Sequence, residues 1–392
     1  MVDDRFFISF STQCVYNTHV KLAFCLFKYF PFGGLQRDFM RIATEALARQ
    51  HTIDVFTMEW QGEKNPQLNL HMIPRQGLQN HTQNANFAKT VQPYFSNYDL
   101  VVGFNKMPGL DVYYAADICY QSKVKKSKGM IARLTPRYRT LTSLEASIFA
   151  KHQKTKILLI SPKQQEEFTE CYQTEENRFH LLPPGISRDR MAPVNAAEIR
   201  EKTRAEFNIN PNDFLLLMVG SGFKTKGLSR ILKSIASLEK SIQARTHLFI
   251  IGQDNPKIYI KEAKKLGIFA QCHFLGGRND VPRFFLAADL LVHPALHENT
   301  GTVLLEALCA GLPVLTTDVC GYAKYIVEAG AGKVLSSPFQ QTEMNATLRA
   351  MLFDDEKIKW QEKAIRFAEN ADIYDLPKYA VNYLEAIYKG VS

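Results

Sequence analysis

Two glutamates with seven residues between them occur in the stretch Leu290-Leu-Val-His-Pro-Ala-Leu-His-Glu298-Asn-Thr-Gly301-Thr-Val-Leu-Leu-Glu306-Ala-Leu-Cys-Ala-Gly311-Leu-Pro313-Val-Leu. The short apolar run at its start predicts a buried strand, and residues 302–310 predict a helix that begins after Gly301. Glu298 therefore falls in a loop between a strand and a helix N-terminus. Loops of this kind bind anions and ligands in α/β sheets.

Glu306 lies inside the predicted helix, between Leu305 and Ala307. A charge on an apolar helix is usually paired or functional, because burying it without a partner costs free energy. We therefore interpret Glu298 and Glu306 as parts of one ligand site. The alternative is that Glu298 is a loop surface residue and Glu306 a solvated helix carboxylate.

Strands and helices alternate twice along the chain, which predicts an α/β protein with two doubly wound domains facing a cleft. The strands predicted in the first series are residues 21–27, 52–58, 68–73, 100–104 and 156–161, and those in the second are 214–219, 248–251, 272–275, 290–293 and 314–317. The run Leu182-Pro-Pro-Gly185 separates the two series. We predict domains at 21–185 and 186–373, a final helix within 374–392 that crosses back, and an unassigned extension at 1–20.

Composition is that of a cytoplasmic enzyme. A chain of 392 residues with 46% hydrophobic residues can form two cores. Its seven cysteines are scattered without a Cys-x-x-Cys pair, which argues against a disulfide framework and against structural zinc. No apolar run is long enough to span a bilayer, and an N-terminus opening with Asp3 and Asp4 is a poor signal peptide.

The Glu-x7-Glu spacing before Ala-Gly-x-Pro-Val resembles the retaining glycosyltransferases of family 4. Segments 24–41, 102–111, 182–186 and 276–280 resemble the lipopolysaccharide core glucosyltransferases of that family, and the resemblance covers nearly all of the chain after residue 20. It implies the GT-B fold of two Rossmann-like domains. It also implies transfer of glucose from UDP-glucose to a heptose of the lipopolysaccharide inner core. A different UDP-hexose or UDP-N-acetylhexosamine donor is the alternative.

By this resemblance Glu298 contacts the hydroxyls of the donor sugar, and Glu306 contacts the ribose of the nucleotide. The enzyme must also stabilise negative charge on the departing diphosphate, through a metal ion or through positive side chains. The chain has no Asp-x-Asp motif to hold a metal. We therefore expect no metal and no cofactor, with the UDP-sugar as a co-substrate.

Lys226 corresponds to the family's diphosphate lysine, and Arg190 corresponds to its partner arginine. The family usually has a second basic residue beside the lysine. Here Thr225 stands in that position, and Lys224 lies one step earlier. The alternative for both lysines is a solvated basic turn.

Two glycines, Gly33 and Gly34, follow the first predicted strand and let the backbone approach a ligand closely. Asp38 lies one turn into the following helix. The resemblance gives it a polar role near the donor sugar or the acceptor hydroxyl, and the alternative is a first-turn acid favoured by the helix dipole.

Backbone groups and two loop residues complete the predicted site. We predict that backbone N–H groups at the start of the helix bind the phosphates and that a loop after another strand contacts the uracil. The phosphate residues are Gly301, Thr302 and Val303; the uracil residues are Gly277, Arg278 and Asn279; the acceptor-side candidates are Asn105 and Asp117.

Residues 118–144 contain seven basic residues and no acidic one, with apolar and aromatic residues between them. The basic residues are Lys123, Lys125, Lys126, Lys128, Arg133, Arg137 and Arg139. Such a segment suits an anionic membrane surface, and the resemblance implies docking on the cytoplasmic face of the inner membrane. Nucleic-acid binding is the competing interpretation, but no nucleic-acid motif accompanies the segment. The third interpretation is that the segment is only a solvated basic face.

Two other classes of protein fit the sequence less well. A Rossmann-type NAD-dependent oxidoreductase would use Gly33-Gly34 and Glu59, but the glycine spacing is wrong for it. A non-catalytic membrane-surface protein would leave the charged site residues without a purpose. The residues after the first glutamate, Asn299 and Thr300, depart from the small residues of the resembled family, which leaves the identity of the donor sugar open.

Overall fold

Two parallel β-sheets form the framework of the protein. The computed structural model describes residues 19–31, 33–127, 130–353 and 356–390. Within these residues one sheet has seven strands and the other has six. The α/β class and the doubly wound architecture predicted from the sequence are confirmed.

The first half of the chain contains these elements: β1 (Lys21–Cys25), β2 (Lys28–Tyr29), α1 (Gly34–Ala48), β3 (Thr52–Thr57), β4 (Glu59–Trp60), β5 (Asn69–Met72), α2 (Asn80–Val91), β6 (Leu100–Gly103), β7 (Val112–Ala115), α3 (Tyr120–Ser127), α4 (Pro136–Phe149), β8 (Lys156–Leu159), α5 (Pro162–Tyr172) and β9 (Phe179–Leu181). The strand order of its sheet is β5-β3-β1-β6-β7-β8-β9, and β2 and β4 form a separate pair. The order reverses between β1 and β6, so α1 starts at the switch point where such sheets bind ligands.

The second half of the chain contains these elements: α6 (Ala196–Glu206), β10 (Phe214–Val219), α7 (Leu228–Ala236), α8 (Lys240–Gln243), β11 (Thr246–Ile251), α9 (Lys257–Lys265), β12 (Cys272–Gly276), α10 (Val281–Ala287), β13 (Leu290–His293), α11 (Thr302–Cys309), β14 (Val314–Thr317), α12 (Ala323–Ala329), β15 (Gly332–Leu335), α13 (Gln341–Leu352), α14 (Lys357–Asn370) and α15 (Leu376–Tyr388). The strand order is β12-β11-β10-β13-β14-β15. Its switch point lies between β10 and β13, whose loops carry Lys226 and Glu298.

Burial on both faces explains the unbroken apolar runs of the central strands. In β10, Leu215 and Leu217 pack into the core on one face of the sheet, while Leu216 and Met218 pack into the core on the other. Successive side chains of a strand point to opposite faces, so a strand covered on both sides needs apolar residues throughout. β13 is buried along its whole length for the same reason.

The last helix, α15, returns to the first half of the chain. Its residues Leu376, Ala380 and Leu384 share a buried core with Phe39 and Ile42 of α1. The sequence predicts this helix at the position where it occurs. The domain boundaries themselves stay a prediction.

Arg41 forms hydrogen bonds with both segments in which the chain crosses from one half to the other. Its guanidinium donates to the backbone carbonyls of Gly185 and Ile186 in one connection and of Tyr374 in the other. Gly185 leaves no room for a side chain, because a Cβ there would lie 2.7 Å from Leu376 Cβ. These contacts fix α1 directly beside the cleft.

Candidate active site

A cavity of about 310 Å³ lies between the two halves at the carboxyl ends of their strands. Charged and polar residues from both halves line it, among them Gly34, Arg37, Asp38, Arg41, Arg190, Glu298, Asn299, Thr302, Glu306 and Tyr322. A second cavity of about 370 Å³ shares Asp189, Arg190 and Glu306 with the first and is also lined by Asn279. Two neighbouring cavities that share Arg190 and Glu306 suit a two-part ligand with a charged centre.

Glu298 is the most strongly held carboxylate of the first cavity. Lys226 Nζ donates to Glu298 Oε2, and His293 Nε2 lies 3.3 Å from the same oxygen. Burial raises the pKa of the Glu298 carboxyl, but the hydrogen bond with His293 and the charge of Lys226 outweigh it and lower the pKa to about 2. Glu298 is therefore ionised at neutral pH.

His293 supports Glu298 from a fully buried position on β13. Burial lowers the pKa of the imidazole against the opposing effect of Glu298, so the ring is neutral at pH 7. Among the described residues its Nδ1 has no hydrogen-bond partner. We therefore place the proton on Nε2, which donates to the carboxylate and orients it.

Two loops bring Lys226 to Glu298. Leu296 N donates to Thr225 O at 2.8 Å, which joins the loop after β13 to the loop after β10. Gly227 has a φ of +80°, and a Cβ there would collide with Pro294 O, so only glycine allows this approach. Neither lysine is among the residues that line the cavities, but Lys226 is partly buried and donates to Glu298, whereas Lys224 is exposed.

Glu306 faces the first half of the chain from α11. Its Oε1 lies 3.6 Å from Arg37 Nη1, and its side chain is only 13% exposed. The helix begins at Gly301, whose φ of +83° lies in the left-handed region that glycine favours. Thr302 at the helix start lines the cavity, whereas Gly301 and Val303 do not.

Asp38 has an environment unlike that of Glu298. Tyr114 Oη donates to Asp38 Oδ2 at 2.7 Å. Burial raises the pKa of the Asp38 carboxyl, and the Tyr114 hydrogen bond and the charges of Arg37 and Arg41 lower it less than burial raises it. The cavity thus holds one firmly ionised carboxylate and one with an increased proton affinity.

Several predicted residues do not line either cavity. Asn105 Oδ1 accepts from Phe27 N at 2.7 Å and holds the loop after β1. Asp117 is exposed. Arg278 donates to Asp280 through Nε and Nη2, each at 2.7 Å. Of the predicted uracil residues only Asn279 lines a cavity, and of the glycine pair only Gly34 does.

Gly33 does not line the cavity but lies at the start of α1. It is the N-cap residue of that helix. A Cβ at Gly33 would lie 1.8 Å from Gln36 Oε1, so a side chain there would disturb the first turn.

Sequence reasoning missed Arg37, Asn299 and Tyr322. Asn299 Nδ2 donates to Ala116 O at 2.9 Å, a hydrogen bond between the two halves. Tyr322 is buried in the cavity wall. The sequence contains a hint for Arg37 and Asn299, because each is adjacent to a residue that was singled out.

The comparisons with known proteins agree with this geometry. Residues 199–372 match the family model described as glycosyl transferases group 1. Lipopolysaccharide glucosyltransferase WaaG of Escherichia coli (strain K12) is 46% identical over 366 residues, which are 93% of this chain and 98% of that protein. The chain belongs to the group 1 glycosyltransferases. The crystal structure of WaaG aligns with a TM-score of 0.86 and 46% identity, over 92% of this chain and 99% of that one.

A structure of Anabaena HepE in complex with UDP and glucose aligns with a TM-score of 0.73, over 94% of this chain and all of that one. Its 18% identity makes this a likeness of fold. The predicted GT-B fold and the predicted hexosyltransferase class are confirmed. These findings leave no basis for the NAD-dependent oxidoreductase.

Proposed function

We propose that this glycosyltransferase moves glucose from UDP-glucose to a heptose of the lipopolysaccharide inner core, with retention at the anomeric carbon and without a metal ion. The observation that carries the proposal is the cavity lined by Glu298, Glu306 and Arg190, with Lys226 donating to Glu298. The 46% identity to WaaG supports the same sugar and the same class of acceptor.

Positive side chains are well placed to stabilise the leaving group. Arg190 lines both cavities and contacts only Asp189, at 3.7 Å, among the described charged groups. Lys226 is held at Glu298, whose Cγ lies 3.4 Å from the position of a Cβ on Gly301, the N-cap residue of α11. A helix N-terminus adds its own partial positive charge. We assign Lys226 and Arg190 to the β-phosphate, Glu298 to the sugar hydroxyls and Glu306 to the ribose.

In this proposal the acceptor attacks the face of the anomeric carbon from which the diphosphate departs, so the configuration of that carbon is retained. The bond from the acceptor oxygen to the anomeric carbon forms as the bond from that carbon to the β-phosphate oxygen breaks. The departing phosphate oxygen takes the acceptor proton. Asp38, with its raised pKa and its hydrogen bond from Tyr114, is placed to bind the acceptor hydroxyl or the donor sugar.

The donor sugar is tested by transfer from UDP-glucose, UDP-galactose and their N-acetyl forms to a lipopolysaccharide acceptor that ends in inner-core heptose. We expect the highest kcat/KM with UDP-glucose. A faster reaction with another sugar would contradict the donor assignment, and it would leave the transferase class intact. Thr300 and Asn299, which line the cavity beside Glu298, would then be the residues to exchange.

The basic segment forms an outward-facing surface on the first half, and we propose that it binds anionic lipid at the cytoplasmic face of the inner membrane. Ile131 is 82% exposed and Leu134 is 69% exposed. The exposed basic residues around them are Lys123, Lys125, Arg133, Arg137 and Arg139. Lys128 lies outside the described residues, as does the side chain of Lys126. No helix in the described ranges combines the length and the apolar character needed to cross a membrane.

A buried carboxylate fixes this segment to the core. Glu145 of α4 is fully buried and accepts from Tyr120 N at 2.8 Å and Gln121 N at 3.0 Å, at the start of α3. Lys106 Nζ donates to it at 2.5 Å. Burial raises the pKa of the Glu145 carboxyl, but the charge of Lys106 and the hydrogen bonds from Lys106, Tyr120 and Tyr172 lower it by more, so the carboxylate is charged and paired. Glu145 therefore joins α4, which carries Arg137 and Arg139, to the start of α3, which carries Lys123 and Lys125.

Replacing Arg133, Arg137 and Arg139 with glutamine should release the protein from vesicles that contain acidic phospholipid, since each basic residue contributes about 1 kcal/mol near such a surface. The matched control replaces Lys257, Lys261 and Lys265, which are exposed on α9, and changes the net charge equally. Co-sedimentation measures both. Equal binding of the arginine variant and the control would contradict the proposal.

Ile131→Ser with Leu134→Ser should remove the part of the binding that resists high salt.

A further inference from the structure

Arg37 is a charged residue of the first cavity for which the assignments above leave no role. It lies in the first turn of α1, where the helix has no acidic residue. Its Nη1 is 3.6 Å from Glu306 Oε1, and its side chain is 45% exposed. That distance exceeds a hydrogen bond, and a half-exposed ion pair contributes little free energy. The contact is therefore easily exchanged.

The other two charged residues on this part of α1 are more firmly held. Arg41 donates to three backbone carbonyls. Asp38 accepts a hydrogen bond from Tyr114 at 2.7 Å. Of these three residues, Arg37 is the one whose charged end forms an ion pair with a carboxylate of the second half within the described part of the chain.

That group, Glu306, is the carboxylate to which we assign the ribose. The ribose hydroxyls would donate to the carboxylate whose Oε1 faces Arg37, so the nucleotide competes with the guanidinium for Glu306. The diphosphate brings negative charge into the same cavity at the same moment. A guanidinium binds phosphate oxygens through paired N–H donors, which the single 3.6 Å contact with Glu306 Oε1 does not provide.

We propose that Arg37 binds the diphosphate of the nucleotide-sugar donor, leaving Glu306 free for the ribose when the donor enters. The inference rests on the proposed function. It adds a phosphate ligand from the first half of the chain to Lys226 and Arg190 of the second half. The donor is then held from both sides of the cleft, and the start of α1, with Gly34 in the cavity wall, contributes the positive end of its dipole.

The test compares uridine, which supplies base and ribose, with UDP, which adds the diphosphate, by calorimetric titration of Arg37→Met. Loss of the phosphate contact should weaken UDP binding about ten- to hundredfold. Uridine binding should stay unchanged or become up to about fivefold tighter, because Glu306 has lost its competitor. The control is Arg75→Met, a similarly exposed arginine paired with Glu59 outside the cavity, which should leave both affinities unchanged.

The expected change in affinity differs between the two ligands, weaker for UDP and unchanged or tighter for uridine, so the alternatives can be distinguished. Tighter binding of both ligands would mean that Arg37 only blocks Glu306, and equal weakening of both would mean that it only supports the fold. Either result would overturn the inference, as would an unchanged UDP affinity. Arg37→Lys should recover part of the UDP affinity. A wild-type protein that binds neither UDP nor UDP-glucose would contradict the proposed function itself.

Discussion

Replacing Lys226 with alanine is expected to lower kcat by about 10²–10³-fold, as removal of a transition-state charge stabiliser does in other enzymes. In the proposed reaction the charge of Lys226, held by Glu298, is in place before the diphosphate begins to leave. An interaction that strengthens as charge develops affects turnover more than it affects donor binding. We therefore expect KM for the donor to change much less than kcat.

Lys224 gives the matched control, because it belongs to the same loop and is exposed. Lys224→Ala should keep kcat within about threefold of wild type, in line with the small effects of most surface substitutions. A similar loss in both variants would mean that the loop matters as a basic turn. Thermal melting should accompany the assay, since Lys226→Ala leaves the buried Glu298 carboxylate with His293 as its main partner.

The same assay tests metal independence. If Lys226 and Arg190 supply the positive charge, activity should persist in excess chelator. Activity that chelator abolishes and that magnesium or manganese restores would contradict the assignment. The loss caused by Lys226→Ala should be equally large with and without chelator.

Much of the fold follows from local patterns in the sequence. The apolar run of β13 and the amphipathic α15 are found where the sequence predicts them, because burial of a central strand and of one helix face leaves a clear pattern. β2, β4, β7, β9 and β15 were not predicted. They are two to four residues long, and β9 and β15 are sheet edges, whose pairing depends on neighbouring strands.

Some of the residues that line the cavities were predicted from the sequence, but their pairings were not. The spacing of Glu298 and Glu306 follows from one strand, one loop and one helix, which are local in sequence. The pairs Lys226–Glu298, Arg37–Glu306 and Asn299–Ala116 join distant segments. No single-sequence pattern encodes which of many exposed-looking charges meet in a cleft, so Arg37 could be recognised only after the two halves were brought together.

Glu306→Ala should weaken UDP binding about tenfold to hundredfold, because the variant loses charged hydrogen bonds to the ribose that contribute about 1.5–3 kcal/mol each. The loss is smaller than their sum, since Arg37 is released from its own ion pair and can stay with the phosphates. Calorimetry with UDP and with uridine measures the effect. Uridine should lose at least as much affinity as UDP, the reverse of the order expected for Arg37→Met.

Glu306→Gln separates the charge of this residue from its geometry. Its amide oxygen can still accept from one ribose hydroxyl, so we expect an affinity between that of wild type and that of Glu306→Ala. The control is Glu343→Ala, an exposed glutamate in the first turn of α13, which should leave UDP binding unchanged. Unchanged UDP affinity in a folded Glu306→Ala protein would contradict the ribose assignment. The Arg37–Glu306 pair would then be a contact between the two halves, and the nucleotide would have to be sought elsewhere along the cavity that Arg190 lines.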